Sequence, residues 1–431
     1  MDPAIITLCV LGVAAFLFIT ELIPLAVTAM AACTALGILG VLPSKAVYAG
    51  MSNSTVVLFG GMFVIGAAMF KTGLAEAIGV AVVKKAGTNE IPLMAAIMTV
   101  TIILSAVSSN TGTVACLMPV IIGICSVAKL PASKQLMPLA IAANVGGTIT
   151  MIGTPPNVIV TGALTTAGLP TFGFFEFAWI GIPLSLVITI YTLFIGRHMI
   201  AAKSAGAMDE EALKAAKEEA GASDDDAPKS KTKMWISGLI LIGVVLCMAL
   251  DLKTVPLHTA AVTGAILCVV TGCLKEKEAY AGIDWVTIFL FAGMLSVASA
   301  MEKTGAGKLI ADTVVSMMGT NPNPYVLTAV LFLISNVLTQ FMSNTASAAL
   351  LAPIGISIAQ SIGADPKPVL MALGIAASCA FATPMATPPN TLVLGPGNFS
   401  FNDYAKVGVP MCVISLIVCL IVIPIVWPFG M

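Results

Sequence analysis

Two polar triplets, Ser109-Asn110-Thr111 and Ser343-Asn344-Thr345, stand 234 positions apart, each inside a long apolar run. Forty-odd residues after each comes a second oxygen-rich interruption, Gly153-Thr154-Pro155-Pro156-Asn157 and Ala386-Thr387-Pro388-Pro389-Asn390. In hydrocarbon each unpaired backbone group costs several kcal/mol, so such breaks persist only where protein, ions, water or a ligand satisfies them. Each Pro-Pro pair lacks donors and pushes the preceding residue to extended geometry, freeing carbonyls upstream of Pro155 and Pro388. Those carbonyls, with the Ser, Thr and Asn oxygens, suit a hard cation such as Na⁺. The limbs that follow the triplets aim amide N–H groups at the tips. A helix N-terminus carries roughly half a positive charge and binds carboxylate, sulfate or phosphate. No Arg, Lys or His flanks any of the four interruptions. An anion held there would rely on helix ends and co-bound cations.

A lone Ser or Thr in an apolar helix often only bonds the preceding turn. Four such sites in duplicated register are poorly explained that way, and we expect them to meet at one site at mid-bilayer. The chain as a whole agrees: of 431 residues 58% are hydrophobic and 10% charged, with mean hydropathy +1.03. Soluble proteins carry about 25% charged residues. The apolar stretches are continuous over about 17–20 residues rather than alternating, which implies helices and not a barrel. A net charge of −1 leaves no footprint for nucleic acid. The ten cysteines are scattered singly and read as small core hydrophobes. There is no nucleophile–base pairing, metal-ligand spacing or phosphate-cradling glycine loop, so the chain does not read as an enzyme. The first span, Ala4–Thr20, lacks a basic leader and a cleavage site and reads as a retained helix.

The elements that must position these motifs repeat. Pro24-Leu25, Ala49-Gly50 and Lys71-Thr72-Gly73 recur as Pro256-Leu257, Ala281-Gly282 and Lys303-Thr304-Gly305, all at an offset of 232. We read residues 1–200 as a first repeat with a re-entrant hairpin over 91–128 and a broken helix over 135–161. Further spans are expected at 4–20, 25–42, 55–70 and 174–195, with an amphipathic arm over 74–86. Residues 234–431 form a second repeat with a hairpin over 325–362 and a broken helix over 367–395. Between them lies 201–233, with six Lys, eight Asp or Glu and the run Asp224-Asp225-Asp226. It reads as a solvated linker without chemistry of its own. Each repeat has five crossings plus one hairpin, an odd number that inverts the second repeat relative to the first. Placing the linker in the cytoplasm puts 14 basic residues inside against 3 outside, with both termini outside.

The paired triplets, paired Pro-Pro breaks and five-plus-hairpin repeat resemble the divalent anion/sodium symporter family, over nearly the whole chain. Many members have one extra N-terminal helix, which we do not expect within this sequence. The resemblance implies one sodium site at Ser105, Ser109, Asn110 and Gly153, and a mirror site at Thr339, Met342 (backbone), Asn344 and Ala386 (backbone). It implies substrate contacts from Asn110, Thr111, Thr154, Asn344, Thr345 and Thr387. It also implies a homodimer in the cell membrane whose protomers each have a scaffold and a moving transport domain. The expected function is Na⁺-coupled uptake of a small divalent anion, a C4-dicarboxylate such as succinate, fumarate or malate, by alternating access. Sodium-independent dicarboxylate exchange, or sulfate or citrate transport on the same fold, stays open beside it. A channel would need a continuous polar pore, whereas the sequence offers discrete polar breaks.

Overall fold

The computed structural model describes residues 2–87, 89–206, 208–219, 230–250, 254–318 and 323–429. Among them the regular elements are helices, as the continuous apolar runs require. Seven are long and apolar enough to cross a bilayer, and shorter apolar helices accompany them. Their outward faces carry exposed Val13, Phe16, Trp235, Leu239, Ile417 and Ile421. In water such a surface would aggregate; against lipid it is at home.

The first half runs Pro3–Thr20, Leu25–Ile38, Ser54–Lys71, Leu74–Ala86, Glu90–Ser105, Asn110–Ala128, Ser133–Gly146, Pro155–Thr166 and Ala178–Tyr191. The second runs Lys231–Ala249, Leu257–Val270, Trp285–Thr304, Ala306–Met318, Pro324–Thr339, Asn344–Ser361, Pro366–Ser378, Pro388–Leu394 and Phe401–Val426. The halves interlock. Leu25–Ile38 packs along Trp285–Thr304, and Leu257–Val270 packs along Ser54–Lys71. Ser54–Lys71 and Trp285–Thr304 are accordingly the most buried of the long helices. Side-chain caps fix where they start: Asn53 accepts from the Thr55 amide and Asp284 from the Thr287 amide.

Three expectations need correction. The second span stops at Ile38 and not at Leu42, because Gly40 turns left-handed (φ +73°) and the Val41 and Leu42 amides fold back onto the Leu36 carbonyl. The broken helices unwind before their Pro-Pro pairs rather than at them. Ser133–Gly146 passes into one 3₁₀ turn, Gly147–Ile149, and residues 150–154 are non-helical; after Pro366–Ser378, residues 379–387 are non-helical. The prolines open the next helix, whose first turn needs no amide donor and whose φ they already hold. The linker, finally, is not freely solvated from its start. The Ser133 hydroxyl donates to the Ala201 carbonyl (2.8 Å), the Gly206 amide to the Pro396 carbonyl (2.8 Å), and Lys203 pairs with Asp403 at 2.8 Å. A helix, Glu210–Glu219, follows; Asp224-Asp225-Asp226 lie outside the described residues.

Candidate binding site

All four interruptions line one cavity of about 360 Å³, inside the ~300–1,000 Å³ range of small-molecule sites. Ser109, Asn110 and Thr111 meet Gly153 and Thr154 from the first half; Ser343, Asn344 and Thr345 meet Ala386 and Thr387 from the second. The opposite wall is apolar, built from Phe59, Phe63 and Phe70 on Ser54–Lys71, with Thr287 and Leu290 on Trp285–Thr304. Asp284 is the one charged side chain on the lining among the described residues.

Four helices begin at this cavity, each preceded by a hydroxyl residue. Ser109 accepts from the Gly112 amide (3.2 Å), Ser343 from Ala346 (3.1 Å) and Thr387 from Asn390 (3.4 Å), while Thr154 makes no such bond. The unwound segments are clasped identically from inside. Asn157 donates to the carbonyls of Gly147 (3.4 Å) and Thr150 (2.9 Å); Asn390 donates to those of Ala380 and Thr383, both at 2.9 Å. Thr150 and Thr383 then tie each break to the hairpin beside it, donating to the Ala106 and Gln340 carbonyls. Six buried carbonyls thereby gain a side-chain donor. In the first break the backbones touch: a Cβ on Gly147 would sit 2.8 Å from the Gly153 carbonyl oxygen, and one on Gly153 2.4 Å from that of Gly147.

Behind the cavity lie two groups of buried oxygens. In the first, one end of the Asn110 amide lies 3.1 Å from the Ala143 carbonyl oxygen and 3.3 Å from that of Gly153. Nitrogen belongs at that end, where the amide donates to both carbonyls. The Ser105 hydroxyl, fully buried, has no partner among the described residues. In the second, the single Thr339 proton faces two acceptors, the Asn344 side-chain oxygen (2.6 Å) and the Ala377 carbonyl (2.7 Å). Buried oxygens without protons are costly unless a cation joins them, and hard oxygen donors fit Na⁺.

Of the expected residues, Ser109, Asn110, Thr111, Gly153, Thr154, Asn344, Thr345, Ala386 and Thr387 come together on the lining. Ser105, Thr339 and Met342 do not reach it; they are buried in the adjoining hairpins. Two polar residues absent from every motif belong to the same network. Asn144 lines the cavity and donates across the halves to Thr387 Oγ1 (3.2 Å) and Asn390 Oδ1 (3.0 Å), and Ser378 reaches Thr154 Oγ1 at 3.4 Å. Next to the lining residue Phe70, Lys71 pairs with Glu278 at 3.2 Å. Burial alone would push the Glu278 carboxyl up; the Lys275 amide and the Lys71 ammonium outweigh it and hold the group below the ordinary carboxylate range.

Comparison with known proteins gives the family. The citrate transporter family model (CitMHS) matches residues 15–367 and 341–429. A transporter of Haemophilus influenzae is 30% identical over 95% of this chain and 89% of its own length. The sodium-dependent dicarboxylate transporter SdcS of Staphylococcus saprophyticus is 26% identical over 94% of this chain and 83% of its own. Among solved structures, the YdaH transporter of Alcanivorax borkumensis shares the fold over the full length of both chains, with a TM-score of 0.66 at 15% identity. MtrF of Neisseria gonorrhoeae does so over 91% of this chain and 84% of its own, with a TM-score of 0.62 at 15% identity. An all-helical, multi-pass membrane protein with its polar breaks gathered at one cavity, the chain belongs to the citrate transporter family and is a carrier, not an enzyme.

Proposed function

We propose that this carrier couples Na⁺ to the uptake of a C4-dicarboxylate such as succinate, fumarate or malate. One observation carries the reading: a cavity of anion size is lined by four helix starts and, among the described residues, bears no cationic side chain, while the Thr339 hydroxyl beside it has one proton for two acceptors. Asn110, Thr111, Asn344 and Thr345 at the tips, with Thr154 and Thr387, hold the two carboxylates. Ser105, Ser109, Asn110 and Gly153 take one Na⁺; Thr339, Asn344 and the backbone at Met342 and Ala386 take the other. Each Na⁺ offsets a carboxylate charge that the protein itself leaves uncompensated. The name of the SdcS relative, a sodium-dependent dicarboxylate transporter, supports the same choice.

The hairpins and broken helices form the moving unit, and the rest of each inverted repeat forms the scaffold of a homodimer in the cell membrane. The limbs Glu90–Ser105 and Pro324–Thr339 have 16 residues each. At ~1.5 Å per residue they fall short of the ~30 Å hydrocarbon core, as re-entrant limbs do. The far wall of the cavity uses the C-terminal part of Ser54–Lys71 and the N-terminal part of Trp285–Thr304, so it lies toward one membrane face. With the linker in the cytoplasm and both termini outside, that face is the inner one.

Citrate is the second cargo to consider, favoured by the family the chain belongs to. Uptake of labelled succinate, citrate and sulfate into proteoliposomes, with and without an inward Na⁺ gradient, separates the readings. Succinate accumulation that requires the gradient is the expected result. Succinate–succinate exchange indifferent to Na⁺ would replace symport by exchange.

A further inference from the structure

We propose that Asn144 is a positioning residue for the cargo: it turns the Thr387 proton into the cavity and makes Thr387 an obligate donor to the anion. This rests on the cavity being the cargo site.

The hydrogen-bond chain fixes the direction of every proton in it. Carbonyls only accept, so the Asn390 NH₂ must face Ala380 and Thr383, both 2.9 Å away. Its oxygen is thereby turned toward Asn144, which must answer with its own NH₂ at 3.0 Å. The second proton of that NH₂ goes to Thr387 Oγ1 at 3.2 Å. The Asn390 amide approaches the same oxygen at 3.4 Å. Both lone pairs of the hydroxyl are then occupied, and among the described residues nothing accepts its proton. Thr387 lines the cavity, so the remaining direction for that proton is inward.

The mirror position shows what Asn144 adds. At the offset of 233 that relates the two breaks, Asn144 corresponds to Ala377, and Asn390 to Asn157. The Asn157 side-chain oxygen, buried like its counterpart, has no partner among the described residues. Thr154, the counterpart of Thr387, receives only the 3.4 Å approach of Ser378 and caps nothing. One carboxylate of the cargo thus meets an oriented hydroxyl at Thr387, and the other a loosely held one at Thr154. Asn144 touches no cargo in this assignment; it sits in one half and sets a donor in the other.

The test is the concentration dependence of labelled succinate uptake by the full-length carrier in proteoliposomes, for Thr387→Val, Asn144→Ala and the double variant. Losing a hydrogen bond to a charged group raises KM about tenfold, and this is expected for Thr387→Val. Asn144→Ala is expected to raise KM about three- to tenfold with Vmax per folded carrier nearly unchanged. The double variant should match Thr387→Val alone, since both changes remove one proton's aim. A KM unmoved by Asn144→Ala, or a double variant whose effects multiply, overturns the proposal; so does a loss confined to Vmax, which a purely structural role would give. If Thr387→Val itself leaves KM unchanged, the cavity is not the cargo site and the functional reading fails first. Should Asn144→Ala not fold, Asn144→Ser, which can serve only one of the two acceptors, is read on the same KM with the same two outcomes.

Discussion

The two breaks share a clasp and differ in what presses on it. Asn157 and Asn390 hold carbonyls ten and seven positions upstream in the same way. Around that common frame the first break is close-packed and sparsely bonded: Gly147 and Gly153 touch, the Ser105 hydroxyl and the Asn157 oxygen have no partner among the described residues, and Thr154 caps nothing. The second carries more side-chain bonds: Ala380 and Ala386 stand where the glycines stood, Thr339 replaces Ser105, and Asn144 and Tyr404 bond Asn390. A duplicated scaffold can therefore supply one geometry twice while assigning its halves different tasks. In our reading both halves offer oxygens to a cation, and the second adds a donor aimed at the anion.

Forcing the halves to resemble each other sharpens that contrast. The largest effect is expected for Gly153→Ala, whose Cβ meets backbone at 2.4 Å. Overpacking of this kind costs typically 1–3 kcal/mol, and backbone cannot yield as a side chain can. The reciprocal Ala386→Gly should cost about 1 kcal/mol or less. Thermal unfolding of the purified variants measures both, and equal losses would remove the packing difference. Next, Thr339→Val removes the one proton that two buried acceptors share and should lower stability by about 1 kcal/mol, whereas Ser105→Ala removes a hydroxyl unpartnered among the described residues and should cost almost nothing. Both should raise the Na⁺ concentration for half-maximal uptake, and an unmoved sodium curve for either variant deletes its cluster as a coupling site.

A comparable difference, about 1 kcal/mol, should separate Asn390→Ala from Asn157→Ala, because Asn390 also accepts from Asn144. Equal melting shifts would mean that this extra bond contributes nothing. Least in size, Asp284→Asn makes the cap of Trp285–Thr304 match Asn53 on Ser54–Lys71 while removing the negative charge from the lining. Asn caps as well as Asp. Easing like-charge repulsion at the screened mouth should lower KM for a dianion about two- to threefold; a higher KM would give the carboxylate an attractive role.

Much of the site was legible because membranes make polar breaks conspicuous. Ser109-Asn110-Thr111, Thr154-Pro155-Pro156 and their echoes stand out against apolar sequence, and proline states its backbone effect locally. Asn144 and Ser378 left no such mark. Each is one polar residue in an ordinary helix, and its partner lies 243 or 224 positions away, in the other half. The extent of unwinding was hidden for another reason. Gly146-Gly147-Thr148 is compatible with helix, and only the Asn157 clasp from the following helix makes the open form pay. The linker's docking was likewise invisible, since Lys203 meets Asp403 200 positions on.

The bare lining has an electrical consequence. Apart from Asp284, at the start of Trp285–Thr304, no charged side chain borders the cavity among the described residues. If the hairpins and broken helices move as proposed while Trp285–Thr304 stays, the empty carrier returns through the field with no charged cavity side chain for voltage to pull on. Only the loaded form feels the membrane potential, by about 2.3 kcal/mol per net elementary charge for each 100 mV. Two sodium ions with a dianion would cross unaided, and any third would convert the battery of the cell directly into cargo gradient.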